Sequence, residues 1–400
     1  MTSTSHLPAP LHDVKVVDLS RVLSGPLCGS MLSDLGAEVT KVEMPGRGDD
    51  SRDFGPHLNG ESNYFMLLNR GKRSLTLDLK SDEGRAILLE LLDEADVVIE
   101  NFRPGVMERL GLDYTTLSAR NPGLVHVSIS GFGQTGPLAH CAAYDHIVQA
   151  MGGIMSVTGW ADGPPTRVGD AIGDVVAGIY GAWGALAALL QRAHTGLGQH
   201  VDVSMLDSMV SLQLVSLSQL LGGGELPTRI GNGHPISYPM DSFAASDGDV
   251  VIAVANDSLF LRLARALGSP ELADDSRFHT DAGRLQHQAD LRSVIESWTR
   301  RHTVDQVVEL LEQEGVPVAP IWDIAQVASS AYANDRGLLE WVDHPTAGRL
   351  QVLPQPVRFG ARSAPIDRVA PTLGQHSEEI LEGLGLTDEQ VAGLRARGIV

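Results

Sequence analysis

Cysteine is nearly absent from this 400-residue chain: only Cys28 and Cys141 occur, more than a hundred residues apart and outside any CxxC spacing. That excludes a disulfide framework and a zinc cluster, and leaves a reducing compartment as the default. Positive charge is scarce too. Thirty Lys and Arg stand against 50 Asp and Glu, a net charge of -20, so the chain lacks the basic face that binding to nucleic acid or to an anionic membrane needs. The opening residues MTSTSHLPAPL hold no basic stretch followed by an apolar one, so no secretion is indicated and a cytoplasmic location is expected. The segment 175–190 holds 16 uncharged residues, short of the roughly 20 of a spanning helix. Its glycines at 178, 181 and 184 would leave one helix face nearly bare, as a buried core helix allows another backbone to approach. GxxxxGK[ST], HExxH and GxSxG are all missing, so nucleotide-triphosphate, zincin and α/β-hydrolase chemistry lack their signatures.

What is present is apolar content for a large core, 43% of residues, on a length that suggests two domains. In the first half, β-branched runs alternate with helical stretches: VKVVDLS, a helix over 28–35, AEVTKVE, RSLTLDL, a helix over 83–92, ADVVIEN, a short helix near Met107, LVHVSIS, the apolar helix and QHVDVSM. Such alternation predicts an α/β fold with a largely parallel sheet. Ser204 and Asp207 have capping-box spacing ahead of the helix LDSMVSLQLVSLSQLL. From LGGGELPTRIGNGHPISYP the composition turns to Gly, Pro and Asn, a junction. Beyond it come a strand, DVVIAVAN, helices over 259–267, 291–299 and 304–314, and GVPVAPIWD. A last helix opens at Thr387 with Gln390. The expected division is a large domain over 1–220, a small α+β domain over 221–330 and a C-terminal segment over 331–400 returning to the large one.

GFGQTG (131–136) follows LVHVSIS with dinucleotide-fingerprint spacing, yet Pro137 and small residues follow it where a helix should open. It reads as a tight turn at the C-terminal edge of the sheet. All four lysines, Lys15, Lys41, Lys72 and Lys80, lie in the first eighty residues, near Arg47, Arg52, Arg70, Arg73, Arg103 and Arg109. The cluster suits either a phosphate-bearing ligand or a solvated face with counter-acids. His234, in the junction, reads as a solvated loop histidine or a ligand contact, and His146 as structural.

In GDAIGDVVAG, Asp174 precedes the apolar helix, so it reads first as an N-cap. The helix end would also favour its ionised form, and a carboxylate kept anionic and accessible is what acyl transfer needs of a nucleophile. Asp170 reads as a loop residue.

Together VVDLSRVLSGPLCGSMLSDLGAEVTKVE, NRGKRSLTLDL, ADVVIENFRPGVMERLGLDY, ISGFGQTGP, AYDHIVQAMGG, GDAIGDVVAGIYGAWGALAAL with GQHVDVSMLD, and GQHSEEILEGLGLTDEQVAGLRARG resemble the class III coenzyme A transferases. That family includes formyl-CoA:oxalate and carnitine-CoA transferases and the related α-methylacyl-CoA racemases. The resemblance implies a Rossmann-like large domain, an interlocked homodimer, and acyl-CoA and a carboxylate as substrates, with no tightly bound cofactor or metal. It implies Asp174 as nucleophile, passing through a mixed anhydride to an aspartyl-CoA thioester. Val22, Leu77, Asn101, Phe102 and Arg109 match CoA-binding positions, with Lys72 and Arg73 as phosphate partners; Tyr144, Leu23, Gly231 and His234 would line the active site. Met44 stands in place of an arginine and Leu23 in place of a glutamine of the oxalate enzyme, implying a different CoA contact and a different acceptor. RIGNGHPISYPMDSF looks more like the glutarate and methylated-dicarboxylate transferases, implying succinyl-CoA and a C4 to C6 dicarboxylate. Racemases carry a GHD motif where this chain has Ala143-Tyr144-Asp145. A tyrosine is a poor base at neutral pH, so transfer is the preferred reading.

Overall fold

The structure, a computed structural model, describes residues 8–359 and 369–400. Its described residues divide into two compact units. The first holds the described residues within Met1–Ile154, Val168–Leu214 and Tyr332–Val400, and the second Met155–Arg167 and Val215–Ala331.

In the first unit six strands, β1 (Lys15–Asp18), β2 (Glu38–Glu43), β3 (Arg73–Thr76), β4 (Val97–Glu100), β5 (Val125–Ser130) and β6 (His200–Ser204), form one sheet in the order β3-β2-β1-β4-β5-β6. Every neighbouring pair is parallel. The expected parallel α/β sheet is therefore present, and its order is that of a doubly wound nucleotide-binding fold, which reverses direction between β1 and β4. Such a sheet is covered on both faces, and its strands are apolar on both. Val16, Val97, Ile99 and Val127 join one core with α1 (Ser24–Asp34). Val17, Val42, Leu75 and Val98 join the other with α2 (Asp82–Asp93) and with Ile380, Leu381 and Val391 of the C-terminal helices.

Two further helices place the site. The short α3 (Asp145–Met151) precedes α4 (Ile172–Thr195), whose 24 residues are, by length and composition, enough to cross a membrane. The helix exceeds the uncharged run 175–190 because polar residues at both ends join it. Its glycines show why it is a core helix. A Cβ on Gly178 would lie 2.6 Å from the Ser24 carbonyl oxygen, one on Gly181 3.2 Å from Cys28 Sγ, and one on Gly184 2.6 Å from Val201 Cγ1. The bare face thus lies on α1 and β6. The following helix is shorter than expected: α5 (Met205–Ser211) stops and a separate turn, Leu214–Ser218, follows. The Ser208 and Ser211 hydroxyls bond back to the Ser204 and Ser208 carbonyls, the local competition that weakens helices.

The second unit carries an antiparallel sheet of Met240–Ala244, Asp249–Ala253 and Val318–Pro320, with Asp249–Ala253 central. Helices Asp257–Ala266, Gln288–Thr299 and Val304–Gln313 cover it around Phe243, Ile252, Leu263 and Ile295. The strand Met240–Ala244 escapes a sequence reading because its buried Asp241 looks like loop polarity; the side chain is neutralised by Arg292.

Candidate active site

Ligands of doubly wound sheets bind beyond the carboxyl ends of the strands, where the winding reverses. Here that point, after β1 and β4, opens a cleft of about 660 Å³, all of whose lining belongs to the first unit. The two loops that form it are tied together: Arg21 N–H donates to Asn101 Oδ1 at 2.8 Å and Asn101 Nδ2 to the Arg21 carbonyl at 2.7 Å. Val22 has φ +69°, a strained conformation for a β-branched residue, of the kind that gathers at functional sites. Its N–H is held at 3.0 Å by Asp49 Oδ1. Burial alone would raise the Asp49 carboxyl, but Lys41 and the amides of Ser51 and Val22 outweigh it and hold it well below the usual carboxylate range. A buried ion pair thus braces the strained turn.

Asp174 lines the cleft but is not the N-cap the sequence suggests. α4 begins at Ile172, so Asp174 is its third residue, and the N-cap Ala171 offers no side-chain acceptor. Asp145 supplies it instead, Oδ1 accepting the Gly173 N–H at 2.8 Å. The expected preference for the ionised form is also overturned. Burial, then the neighbouring Asp145 charge, push the Asp174 carboxyl up to about 6, with a hydrogen bond from Ser24 opposing them. Among the described residues no cation figures among the groups acting on it, so above that pH it is a partly desolvated anion with no ion-pair partner among those residues. Asp170 is an exposed loop residue, its Oδ1 accepting the Ala171 N–H at 2.7 Å.

The other acids of the cleft are occupied. Asp49 pairs with Lys41, Glu43 with Arg52, and Asp50 with Arg21 and Arg47, while Asp78 Oδ1 accepts the Lys80 N–H at 3.0 Å.

Of the residues singled out from sequence, Val22, Leu77, Asn101, Phe102 and Tyr144 come together with Asp174 on this lining, as does Met44. Tyr144 is 75% exposed. Arg109 is exposed on the short helix Val106–Leu110, whose Val106 and Leu110 line the cleft. Lys72 must be corrected: its ammonium is buried, with Asp18 Oδ2 at 2.7 Å, the Pro26 carbonyl at 2.8 Å and Asn69 Oδ1 at 2.9 Å, and no phosphate can reach it. Arg73 is corrected likewise, since it is held between Glu38 and Glu379 away from the cleft. Leu23 is buried in the core rather than on the lining. Gly231 and His234 belong to the second unit. There Gly231 has φ +68° and lies against the Trp160 ring, and His234 Nδ1 accepts the Ile236 N–H at 3.4 Å. His146 is exposed and off the lining. In GFGQTG, Gly133 and Gly136 have positive φ and no helix opens, as a turn requires.

Cleft-facing cations are instead Arg21, Arg47, Lys80 and Arg103. Tyr64 was not legible in the sequence. Burial and then the Asp174 charge push its phenol up to about 12. Among the described residues no group of His, Cys, Asp and Glu side chains could hold a metal ion.

Residues 11–377 match the family model of CoA-transferase family III. The chain is 40% identical to succinyl-CoA--D-citramalate CoA-transferase of Chloroflexus aurantiacus, over 100% of both chains. It is 42% identical to acetyl-CoA:oxalate CoA-transferase of Acetobacter aceti, over 94% of this chain and 95% of that one. The crystal structure of a CAIB/BAIF family protein from Brucella suis superposes with a TM-score of 0.84 at 40% identity, over 94% of this chain and 100% of that one. A doubly wound sheet with these relatives defines a CoA-transferase, an enzyme. More narrowly, the chain belongs to CoA-transferase family III.

Proposed function

We propose that this enzyme moves CoA from an acyl-CoA donor to a small dicarboxylate through a covalent intermediate on Asp174. The observation that carries this reading is the position of Asp174: a cleft-lining carboxylate that, among the described residues, has no ion-pair partner and has one like charge beside it. Desolvation of that kind makes an anion reactive.

The Asp174 carboxylate attacks the donor thioester carbonyl and expels CoA thiolate, leaving an acyl-aspartyl anhydride. The thiolate attacks the aspartyl carbonyl and releases the donor acid. The resulting aspartyl-CoA thioester is attacked by the acceptor carboxylate, which forms a second anhydride and frees the thiolate again. Attack of the thiolate on the acceptor carbonyl yields the new acyl-CoA and restores Asp174. No proton or oxidant is consumed, and one thioester replaces another, so no nucleotide hydrolysis is needed.

Val22, Leu77, Asn101 and Phe102 would hold CoA along the cleft. Arg21, Arg47, Lys80 and Arg103, with Arg109 beside it, offer charge for its phosphates. Tyr144 would stand over the acyl group. Both curated relatives carry a dicarboxylic acid in their names, D-citramalate and oxalate, which supports a dicarboxylate acceptor; succinyl-CoA as donor rests on the first of them. Ile179, Trp183 and Leu190 leave an apolar outer face on α4 exposed, the kind of surface that a second chain of a homodimer covers.

Incubation with succinyl-CoA and a panel of dicarboxylates, with mass spectrometry of the Asp174 peptide, tests the reading. The expected result is a CoA adduct on Asp174 that vanishes when acceptor is added. Transfer retained in Asp174→Ala would overturn it.

A further inference from the structure

Upstream of the nucleophile the chain makes a turn over 168–173, gripped by two residues of α3. Asp145 and Gln149 are four apart and so share one helix face. Both are buried, Gln149 completely. Asp145 Oδ1 accepts the Gly173 N–H at 2.8 Å, and its Oδ2 accepts Gln149 Nε2 at 2.7 Å. Gln149 Oε1 accepts the Val168 N–H at 2.9 Å, while Nε2 also donates to the Asp170 carbonyl at 3.2 Å. The start, middle and end of the turn are therefore all tied to one pair. Contact is close: a Cβ on Gly173 would lie 2.7 Å from Val148 Cγ2 and 3.0 Å from Asp145 Oδ1.

We propose that Asp145 and Gln149 are positioning residues for CoA transfer, holding the 168–173 turn so that the Asp174 carboxylate stays on the cleft wall while Asp145 satisfies the helix end. This rests on Asp174 being the nucleophile. A carboxylate that capped its own helix would have an oxygen engaged by a backbone N–H. Asp145 takes that N–H in its place, and puts a like charge beside Asp174 that disfavours over-stabilising it. Among the described residues the other groups that interact electrostatically with Asp174 are the Ser24 hydroxyl from α1 and the Tyr64 phenol from the helix Asn63–Asn69.

The test compares Asp145→Asn, Gln149→Met and the exchange variant D145N/Q149E with wild type. The first half-reaction, formation of the aspartyl-CoA adduct, is followed across pH. Gln149→Met is expected to slow it about 10²-fold, the effect of a misplacement near 1 Å, with KM for acyl-CoA little changed because the cations facing the cleft, Arg21, Arg47, Lys80 and Arg103, lie on other segments. Asp145→Asn is expected to move the acid limb of the rate profile to lower pH, since the like charge is gone. The exchange restores the donor–acceptor pair between 145 and 149, the acceptor for the Val168 N–H and one negative charge, losing only the donor to the Asp170 carbonyl, and recovers part of the rate. Unchanged rates and limbs in both single variants would overturn the proposal. Equal losses with an unmoved limb and no recovery in the exchange would do so as well, since that is the pattern of a packing defect. If a single variant fails to fold, the exchange variant decides, because the proposal requires it to fold and to form the adduct. Failure of the nucleophile assignment looks different: wild type then forms no adduct on Asp174. Carbodiimide labelling of Asp174 against pH still reports whether Asp145 acts on it.

Discussion

Lys41 Nζ lies 2.9 Å from Asp49 Oδ2, and neither side chain has surface open to water. The pair sits beneath the cleft, and Asp49 passes its constraint to the strained Val22 through the Val22 N–H. Removing one member of such a pair leaves the other charge buried and unpaired. Lys41→Met is therefore expected to lower stability by about 3–5 kcal/mol in urea unfolding. The Asp49 carboxyl lies below its unfolded value, so its contribution is complete above about pH 4 and is lost as pH falls through the folded value. Acid unfolding of wild type followed by circular dichroism reads that loss.

Asp174 behaves in the opposite sense. Its folded carboxyl is raised from 3.8 to about 6, so keeping it ionised in the folded protein destabilises by about 2–3 kcal/mol at neutral pH. Below both values the penalty is absent, and it grows as pH rises through them. Asp174→Asn is expected to be inactive yet more stable than wild type at pH 7.5, with the difference fading towards pH 4. Thermal melts of the two proteins across that range check it. If Asp174 is the nucleophile we propose, the transfer rate of wild type should fall on the acid side of about pH 6, where its carboxyl is protonated.

The glycine face of α4 gives a graded series. Alanine in a helix gains about 1 kcal/mol over glycine, but overpacking costs about 1–3 kcal/mol where the neighbour cannot yield. At Gly178 the neighbour is the Ser24 backbone carbonyl, at Gly184 a Val201 methyl. Gly178→Ala should therefore destabilise more than Gly184→Ala, and it should also slow transfer, because Ser24 hydrogen-bonds Asp174. Denaturation midpoints and kcat of the two variants decide.

Arg47 and Arg21 share Asp50 at 2.8 and 3.1 Å, both largely exposed. Exposed pairs of this kind hold weakly, so either arginine can turn to a phosphate. Arg47→Ala is expected to raise KM for acyl-CoA roughly tenfold at low salt, equivalent to about 1.4 kcal/mol, with less effect at high salt and kcat preserved. Steady-state kinetics at two ionic strengths measure this.

Much of the first unit was legible in the residues. Strand runs such as VKVVD and LVHVSIS are apolar on both faces, and helices announce themselves by spacing and caps, so local pattern alone specifies an alternating α/β chain. Thr387 and Gln390 form the capping box their spacing predicts. The Met240–Ala244 strand and the break after Ser211 were not legible, because each depends on a distant or competing partner: Arg292 for Asp241, and serine hydroxyls for the helix backbone.

For the site, the chain's own order placed Asp174 at a helix start, where a cap and a nucleophile look alike. The cap turned out to be Asp145, which lies 28 residues before Gly173 in sequence and accepts the Gly173 N–H, and the nucleophile's role for Asp174 is the one we propose. Charge count suggested phosphate-binding cations, but only packing separates Lys72, enclosed by Asp18 and Asn69, from Arg47, open on the cleft. Local propensity and periodicity are properties of neighbours along the chain, so the sequence by itself determined the sheet and its covering helices. Desolvation and the nearest charge are properties of neighbours in space, and only the tertiary structure decided which carboxylate lacks an ion-pair partner among the described residues and which cations are exposed on the cleft rather than buried in a pair.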